Sequence, residues 1–260
     1  MANKSDVCIV FRNTEELDGS ALELAASHLS IEERDRRDRL HFQADRREFT
    51  IAHDLLRQTL SRHATISPSD WRFDINSYGK PSIASPDEEA QALSFSLSHT
   101  RGCVACAITF KAPLGIDLER IDRSLPVQEI ADRYFTEEES AWLHGCSNEL
   151  RNICFTELWT LKEAFVKSIG TGLSVSLKTM SFRFEEQASI AFSRAFDFLP
   201  QEWHFALFEP CRDIRLAVAV QSAAEPNFII RSYDGKERPL TPIRRSTATA
   251  LPSVSGAGLS

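Results

Sequence analysis

The chain has 260 residues, of which 42% are hydrophobic and 26% are charged, a composition typical of a globular protein whose core needs no disulfides. The formal net charge of −7 argues against a general nucleic-acid binder, because such proteins present a basic surface to phosphates. The sequence contains no apolar run long enough to cross a bilayer and no long apolar N-terminal segment, so we expect a cytoplasmic protein without a membrane partner.

The first half of the chain is predicted to begin with a strand, followed by two helices. An apolar run at 7–11 indicates the strand. Ser30 and Glu33 have the spacing of a capping box, which predicts the start of a short, arginine-rich helix. Apolar residues at helical spacing predict a long helix over about 45–62. Further strands are predicted at 71–75, 93–97 and 103–110, with a turn at 76–81.

The second half is predicted to repeat this order. A strand over the sequence LGIDLE comes first, and Thr136 with Glu139 forms a second capping box. A long amphipathic helix follows from 155, and Gly170 and Gly172 end it. Strands are predicted at 180–184, 204–208, 215–220 and 228–230. Beyond 236 the chain is rich in Ser, Thr, Ala, Pro and Arg, which predicts a disordered tail over 236–260.

The two halves can be superposed in sequence by a shift of 106 residues, which aligns the two capping boxes and places Arg57 on Glu163. We therefore predict an α+β (α/β) fold of two pseudo-twofold-related halves, at 1–111 and 112–225. Each half would pack a small sheet against a long helix, with the ligand site in the cleft between them. A chance overlay of two unrelated αβ segments is the alternative.

Three charged residues of the second long helix are candidates for the site. Lys162 falls in the middle of the apolar arc, whereas Glu163 and Lys167 share one edge of it, where side chains can line a cleft. The alternative is structural: Glu163 and Lys167 form a solvated ion pair, and the stem of Lys162 extends along the apolar surface to water.

Asp117 and Glu119 alternate with apolar residues in the predicted strand, so both side chains lie on one face. Two carboxylates placed in this way suit a hard divalent cation, with Glu163 as the candidate third ligand. A strand that simply faces solvent is the alternative.

Ser98 and His99 end a predicted strand, and their hydroxyl and imidazole groups suit an anion such as phosphate. No Asp is near them in sequence, which disfavours a Ser–His nucleophile. Lys80 and Arg47 are further candidate anion contacts, although each could be an ordinary surface charge.

The six cysteines have no paired metal-ligand spacing, and reduced core cysteines are predicted. Cys103 and Cys106 form a CxxC sequence, but residues three apart in a strand point to opposite faces, which argues against a metal or redox site.

Five motifs together resemble the 4'-phosphopantetheinyl transferases of the Sfp type, over roughly 5–222. They are YGKP at 78–81, FSLSH at 95–99, GIDLE at 115–119, RYFTEEE at 133–139 and LWTLKEAFVKSIGTGL at 158–173. The resemblance implies a duplicated fold with coenzyme A and Mg²⁺ between the halves. It also implies transfer of 4'-phosphopantetheine from coenzyme A to a serine of an apo acyl or peptidyl carrier protein, by a monomer.

The resemblance also implies residue roles. Asp117, Glu119 and Glu163 would bind the metal, and Glu163 would also be the candidate general base. The residues that would contact coenzyme A are Arg47, Lys80, Ser98, His99, Lys162 and Lys167, and the two helix lysines among them, Lys162 and Lys167, would also assist catalysis. Arg47 matches the neighbourhood of a residue that holds the 3'-phosphate, although Glu48 occupies one possible alignment of that position.

Two other functional classes fit the residues less well. One is a Mg²⁺-dependent phosphohydrolase acting on coenzyme A or a related nucleotide, and the other is a noncatalytic module that binds carrier proteins.

Overall fold

The computed structural model describes residues 6–15, 17–122, 124–172, 175–184, 189–194, 202–233 and 240–246. The first half contains strands β1 (Asp6–Asn13), β2 (Phe73–Ile75), β3 (Pro81–Ile83), β4 (Leu93–Thr100) and β5 (Cys103–Phe110) and helices α1 (Gly19–Ser27), α2 (Ile31–Arg39), α3 (Gln43–Ser61) and α4 (Glu88–Gln91).

The second half contains three helices and a second set of strands. The helices are α5 (Val127–Tyr134), α6 (Glu137–Gly145) and α7 (Asn148–Ile169). The strands are β6 (Leu114–Arg120), β7 (Met180–Phe184), β8 (Ser189–Arg194), β9 (Trp203–Phe208), β10 (Ile214–Gln221), β11 (Asn227–Ser232) and β12 (Arg244–Ser246). Helix α7 begins at Asn148, earlier than the predicted 155. The prediction started too late because the first turns of the helix are polar and lack the amphipathic pattern.

Two sheets form the centre of the protein. The first has the strand order β11-β1-β5-β4 and the second has the order β6-β10-β9-β12-β8-β7, while β2 and β3 form a separate hairpin. The sheets face each other across a shared apolar core, to which β1 contributes Ile9 and β10 contributes Val218. Helix α3 covers the outer face of the first sheet and α7 covers that of the second. The layers are therefore helix, sheet, sheet and helix, which confirms the predicted α+β class.

Strand alternation sorts the residues between these layers, as the pattern of the sequence predicts. In β5, Cys103 packs into the core between the sheets, whereas Cys106 packs under α3. The two thiols of the CxxC sequence thus point to opposite faces of the sheet. None of the six cysteines, all of which lie in the described ranges, forms a disulfide.

The predicted capping boxes are present at both short helices. In the first half, the capping residue Glu33 is buried and pairs with a cationic side chain of the long helix α3. Arg57 Nε donates to Glu33 Oε2 at 3.0 Å, and Arg57 Nη1 donates to the carbonyl oxygens of Pro68 and Trp71 at 2.8 and 3.1 Å.

The second half repeats this arrangement with a different cation. Lys162 Nζ lies 2.7 Å from Oε2 of the capping residue Glu139. It also donates to the carbonyl oxygens of Leu177 and Met180, at 2.8 and 2.7 Å. In each half, a buried carboxylate that caps a short helix is neutralised by a cation of the long helix, because a buried charge without a partner is costly.

This arrangement corrects the predicted overlay by one residue. Arg57 corresponds to Lys162 in its contacts, and not to Glu163. The pseudo-repeat is therefore present in the interactions as well as in the order of elements.

Two segments near the end of the chain return to the sheets. Strand β11 pairs in parallel with β1, with Ile230 opposite Ile9, and so belongs to the first sheet. Strand β12 lies between β9 and β8, so the predicted disordered tail over 236–260 is wrong at 244–246, where ladder pairing orders the backbone. The remainder of that tail, apart from 240–243, lies outside the described residues.

None of the described helices is both long enough and apolar enough to cross a bilayer.

Candidate active site

Strand β6 and helix α7 approach each other closely at Gly115. A β-carbon added at Gly115 would lie 1.9 Å from the Ala164 carbonyl oxygen and 2.5 Å from the Ser168 nitrogen. A side chain at this position would therefore separate the strand from the helix. Sequence reasoning did not assign Gly115 a role, although its place before the acidic pair in GIDLE is a signal of close backbone approach.

The acidic face of β6 lies against the charged edge of α7. Asp117 is only 4% exposed. Its Oδ1 accepts hydrogen bonds from Lys167 Nζ at 2.6 Å and from Ser98 Oγ at 3.1 Å. Its Oδ2 is buried and has no hydrogen-bond partner among the described residues. The structure thus brings Ser98, Asp117 and Lys167 together, as predicted for a common site.

The other two predicted metal carboxylates are close enough to Asp117 to be influenced by its charge. Burial raises the pKa of Glu119 to about 7, and the charge of Asp117 adds to this effect. Burial, followed by the charge of Asp117, also raises the pKa of Glu163. The side chain of Trp159, which sequence reasoning missed, hydrogen-bonds to Glu119.

The donor set fits a hard divalent cation such as Mg²⁺. Asp117, Glu119 and Glu163 could supply oxygen ligands, and Asp117 Oδ2 is buried with no hydrogen-bond partner in the described segments. Repulsion between the three carboxylates would favour a bound positive charge. Within the described ranges, no three His, Cys, Asp or Glu side chains are already gathered at ligand distance. The ammonium of Lys167 is the positive charge in contact with Asp117.

Two serine hydroxyls join the edge strands of the two sheets. Ser96 Oγ accepts from the Ile116 backbone N–H at 3.0 Å, and Ser98 Oγ accepts from that of Leu118 at 3.1 Å. The alternating serines of FSLSH therefore accept hydrogen bonds from backbone N–H groups of β6, in the second half of the chain. This contact fixes β6 relative to β4 and holds Asp117 beside Ser98.

Lys80 also connects the halves. Its Nζ donates to the carbonyl oxygens of Ser168 and Leu114, at 2.8 and 3.3 Å, and burial lowers its pKa to about 8. Gly170, which ends α7 with a φ of 68°, allows this approach. A cavity of about 260 Å³ opens beside Lys80, and Glu163 and Lys167 line its other side.

His99 lies at the rim of the same region, with a half-exposed side chain and its Nδ1 3.9 Å from Glu48 Oε2. Partial burial and the charge of Lys167 lower its pKa. Arg47 donates to the carbonyl oxygens of Thr14 and Leu17. The neighbouring Glu48, and not Arg47, is therefore the residue of this pair that lies beside His99.

Lys162 is not in the cleft, which corrects the prediction that it contacts coenzyme A. Its side chain is fully buried and bound to Glu139 and two carbonyl oxygens. The lysine in the apolar arc is thus a structural cation.

Comparisons with known proteins agree with the motifs. Residues 113–219 match the family model described as the 4'-phosphopantetheinyl transferase superfamily, and residues 18–111 match the one described as 4'-phosphopantetheinyl transferase, N-terminal.

The chain is 33% identical to the 4'-phosphopantetheinyl transferase HetI of Nostoc sp., over 60% of this chain and 65% of that protein, a little under two thirds of its length. It is 32% identical to the 4'-phosphopantetheinyl transferase Sfp of Bacillus subtilis, over 64% of this chain and 70% of that protein. Among solved structures, a holo-(acyl-carrier-protein) synthase from Bacillus anthracis, in complex with CoA (3',5'-ADP), matches 43% of this chain and 96% of its own, with 19% identity and a TM-score of 0.36. By its family-model matches and its identity to Sfp, the chain belongs to the 4'-phosphopantetheinyl transferase superfamily.

Proposed function

We propose that this protein transfers the 4'-phosphopantetheine group of coenzyme A to a serine hydroxyl of an apo acyl or peptidyl carrier protein, with release of adenosine 3',5'-bisphosphate. The observation that carries the proposal is the buried Asp117. One of its oxygens accepts from Lys167, and the other has no hydrogen-bond partner within the described part of the chain, in a segment that matches the transferase family model.

Asp117, Glu119 and Glu163 are the residues that would hold Mg²⁺. When bound, the cation supplies positive charge to the pyrophosphate as negative charge shifts to the leaving group. Burial, followed by the negative charge of Asp117, raises the pKa values of Glu119 and Glu163, so a bound cation would also relieve the repulsion among the three carboxylates.

The remaining groups act on the phosphates and on the carrier. Lys167, which contacts Asp117, would neutralise phosphate charge, and His99, which lies near Glu48, would donate to a phosphate oxygen from the rim of the cleft. Lys80 lines the cavity between the halves, where the nucleotide or the pantetheine arm would lie. Arg47 would reach the 3'-phosphate only by leaving the two backbone carbonyl oxygens to which its guanidinium donates.

The chemical step replaces one phosphorus–oxygen bond by another. The carrier serine oxygen attacks the β-phosphorus of coenzyme A, and the bond to adenosine 3',5'-bisphosphate breaks. Glu163 is the proposed acceptor of the serine proton, because its carboxylate lines the cleft beside Lys167. We further propose that the protein works as a monomer in the cytoplasm, where its cysteine thiols would remain reduced.

The experiment is incubation of the purified protein with Mg²⁺, coenzyme A and a panel of apo carrier proteins from fatty-acid, polyketide and nonribosomal peptide synthesis. Intact mass spectrometry should show a phosphopantetheine adduct on at least one carrier. Asp117→Asn should fold like the wild type and leave every carrier unmodified.

Two outcomes would favour the other classes. Release of nucleotide from coenzyme A without any carrier would indicate a phosphohydrolase. Carrier binding without coenzyme A binding, unaffected by Asp117→Asn, would indicate a noncatalytic module.

A further inference from the structure

A buried arginine lies next to one of the proposed metal carboxylates. In the antiparallel pair of β6 and β10, Arg215 is directly opposite Glu119, and Ala217 is opposite Asp117. Even-numbered residues of β10 such as Leu216 pack into the core between the sheets, whereas Ala217 packs against α7. Arg215 and Glu119 therefore share the face that is covered by α7, where opposed Cβ atoms are only about 5 Å apart.

Arg215 nevertheless pairs with other carboxylates. Its Nε donates to Glu157 Oε1 at 3.1 Å, and its Nη1 lies 3.2 Å from Glu209 Oε2. Glu157 is on α7 and is 4% exposed. Its second oxygen, Oε2, accepts from Nε of Arg244 on β12 at 3.0 Å. Glu157 thus holds two guanidinium groups.

This choice of partner matters for the cation site. A guanidinium cannot lose its charge, and Arg215 is 7% exposed, so the group requires a carboxylate within reach. Without Glu157, Arg215 would keep its contact with the partly exposed Glu209 through Nη1, but its Nε would lose its partner. The carboxylate directly opposite on β6, which could take that Nε, is Glu119. An arginine bound to Glu119 would occupy its oxygens and compete with a divalent cation for them.

We propose that Glu157 is a positioning residue that directs Arg215 away from Glu119 and so leaves Glu119 available to the divalent cation. The inference rests on the proposed function, because it concerns the metal carboxylates of that site. It assigns to α7 a second acidic residue, one turn and a half before Glu163, that touches neither cation nor substrate.

The test measures Mg²⁺ binding calorimetrically to protein saturated with coenzyme A, without a carrier, so that no turnover occurs. Glu157→Gln should weaken Mg²⁺ binding about 10-fold, the size of effect that loss of an orienting partner has on metal sites. Arg215→Met alone should leave the affinity unchanged. The double variant Glu157→Gln with Arg215→Met should return to the wild-type affinity, because no arginine is left to move onto Glu119.

Arg244→Met is the matched control, since Arg244 binds the same carboxylate but comes from β12 and does not oppose Glu119. It should leave Mg²⁺ binding unchanged. If Glu157→Gln fails to fold, Glu157→Asp, which keeps the charge on a shorter side chain, should give a smaller loss that Arg215→Met again reverses.

Rescue by Arg215→Met is the deciding result, because a purely structural role of Glu157 would make the double variant at least as weak as the single one. Wild-type affinity in Glu157→Gln, or no rescue in the double variant, would overturn the inference and leave the proposed function standing. Failure of the wild type itself to bind Mg²⁺ would instead overturn the metal assignment and the inference with it.

Discussion

Lys167 Nζ lies 2.6 Å from Asp117 Oδ1, so the ammonium group of a helix lysine neutralises the buried carboxylate of the strand. The same lysine reaches Ser98 Oγ at 2.9 Å. A divalent cation that binds Asp117 would compete with this lysine. The lysine would then be free to turn toward the phosphates that the cation accompanies.

Lys167→Met should therefore separate cation binding from catalysis. Binding of Mg²⁺ to the protein without coenzyme A should become tighter, because a competing positive charge is removed. The transfer rate should fall about 100-fold, the typical effect of removing one group that stabilises charge in the transition state. Calorimetry and the carrier mass assay measure the two quantities, with Lys178→Met as control, because Lys178 is exposed and donates to the Asp132 carbonyl oxygen. Weaker Mg²⁺ binding would contradict the competition.

Lys162→Met should behave as a structural change. It leaves Glu139 buried without its cation, so the free energy of unfolding should fall by about 3–5 kcal/mol. The KM for coenzyme A of the protein that remains folded should not change, because Lys162 does not reach the cleft. Urea denaturation and steady-state kinetics at low temperature measure these quantities. A raised KM with unchanged stability would restore Lys162 as a phosphate contact.

The pKa of Glu119 predicts a pH dependence of both stability and cation binding. The folded protein holds a proton on Glu119 up to a pKa of about 7, whereas an ordinary glutamate releases it near 4.5. The free energy of unfolding of the metal-free protein should therefore fall as pH rises from 4.5 to 7, by at most about 3 kcal/mol. Affinity for Mg²⁺ should rise over the same interval and then level off, because the cation displaces that proton.

Glu119→Gln provides the control for this pH dependence, since glutamine does not titrate. Its stability should lack the decline between pH 4.5 and 7, and it should exceed that of the wild type at pH 8. Thermal unfolding across the pH range gives the comparison. An identical decline in the variant would assign the effect to another group.

Gly115→Ala should destabilise the fold by at least about 3 kcal/mol, because the added methyl group would overlap the backbone of α7. The matched control is Gly145→Ala at the end of α6, where a β-carbon meets nothing within 4 Å. That variant should change stability by less than about 1 kcal/mol. Chemical denaturation of both proteins tests the pair, and equal stabilities would contradict the close approach of strand and helix.

The features that could be predicted from the sequence are those whose partners are local. Ser30 with Glu33, and Thr136 with Glu139, form their capping boxes within one helical turn, and the structure confirms both. The alternation in β6 also determines which face carries Asp117, and the structure confirms that this face meets α7.

The features that could not be predicted depend on distant backbone. Lys162 looks like a misplaced surface charge because its partners, two carbonyl oxygens and Glu139, come from other segments. The pairing of Arg215 with Glu157 depends on the approach of β10 to α7, which no local pattern encodes. The overlay of Arg57 on Glu163 missed by one residue, because a constant shift cannot follow different loop lengths in the two halves.

The parallel pairing of β11 with β1 has a consequence for how the chain acquires its structure. Strand β1 is synthesised well before its outer neighbour β11, which follows the second half at 112–225 along the chain. Until then, β1 presents an open edge that other chains can pair with. The first half would therefore finish folding last, and loss of β11 alone should cause aggregation in a protein that keeps every residue of the proposed site.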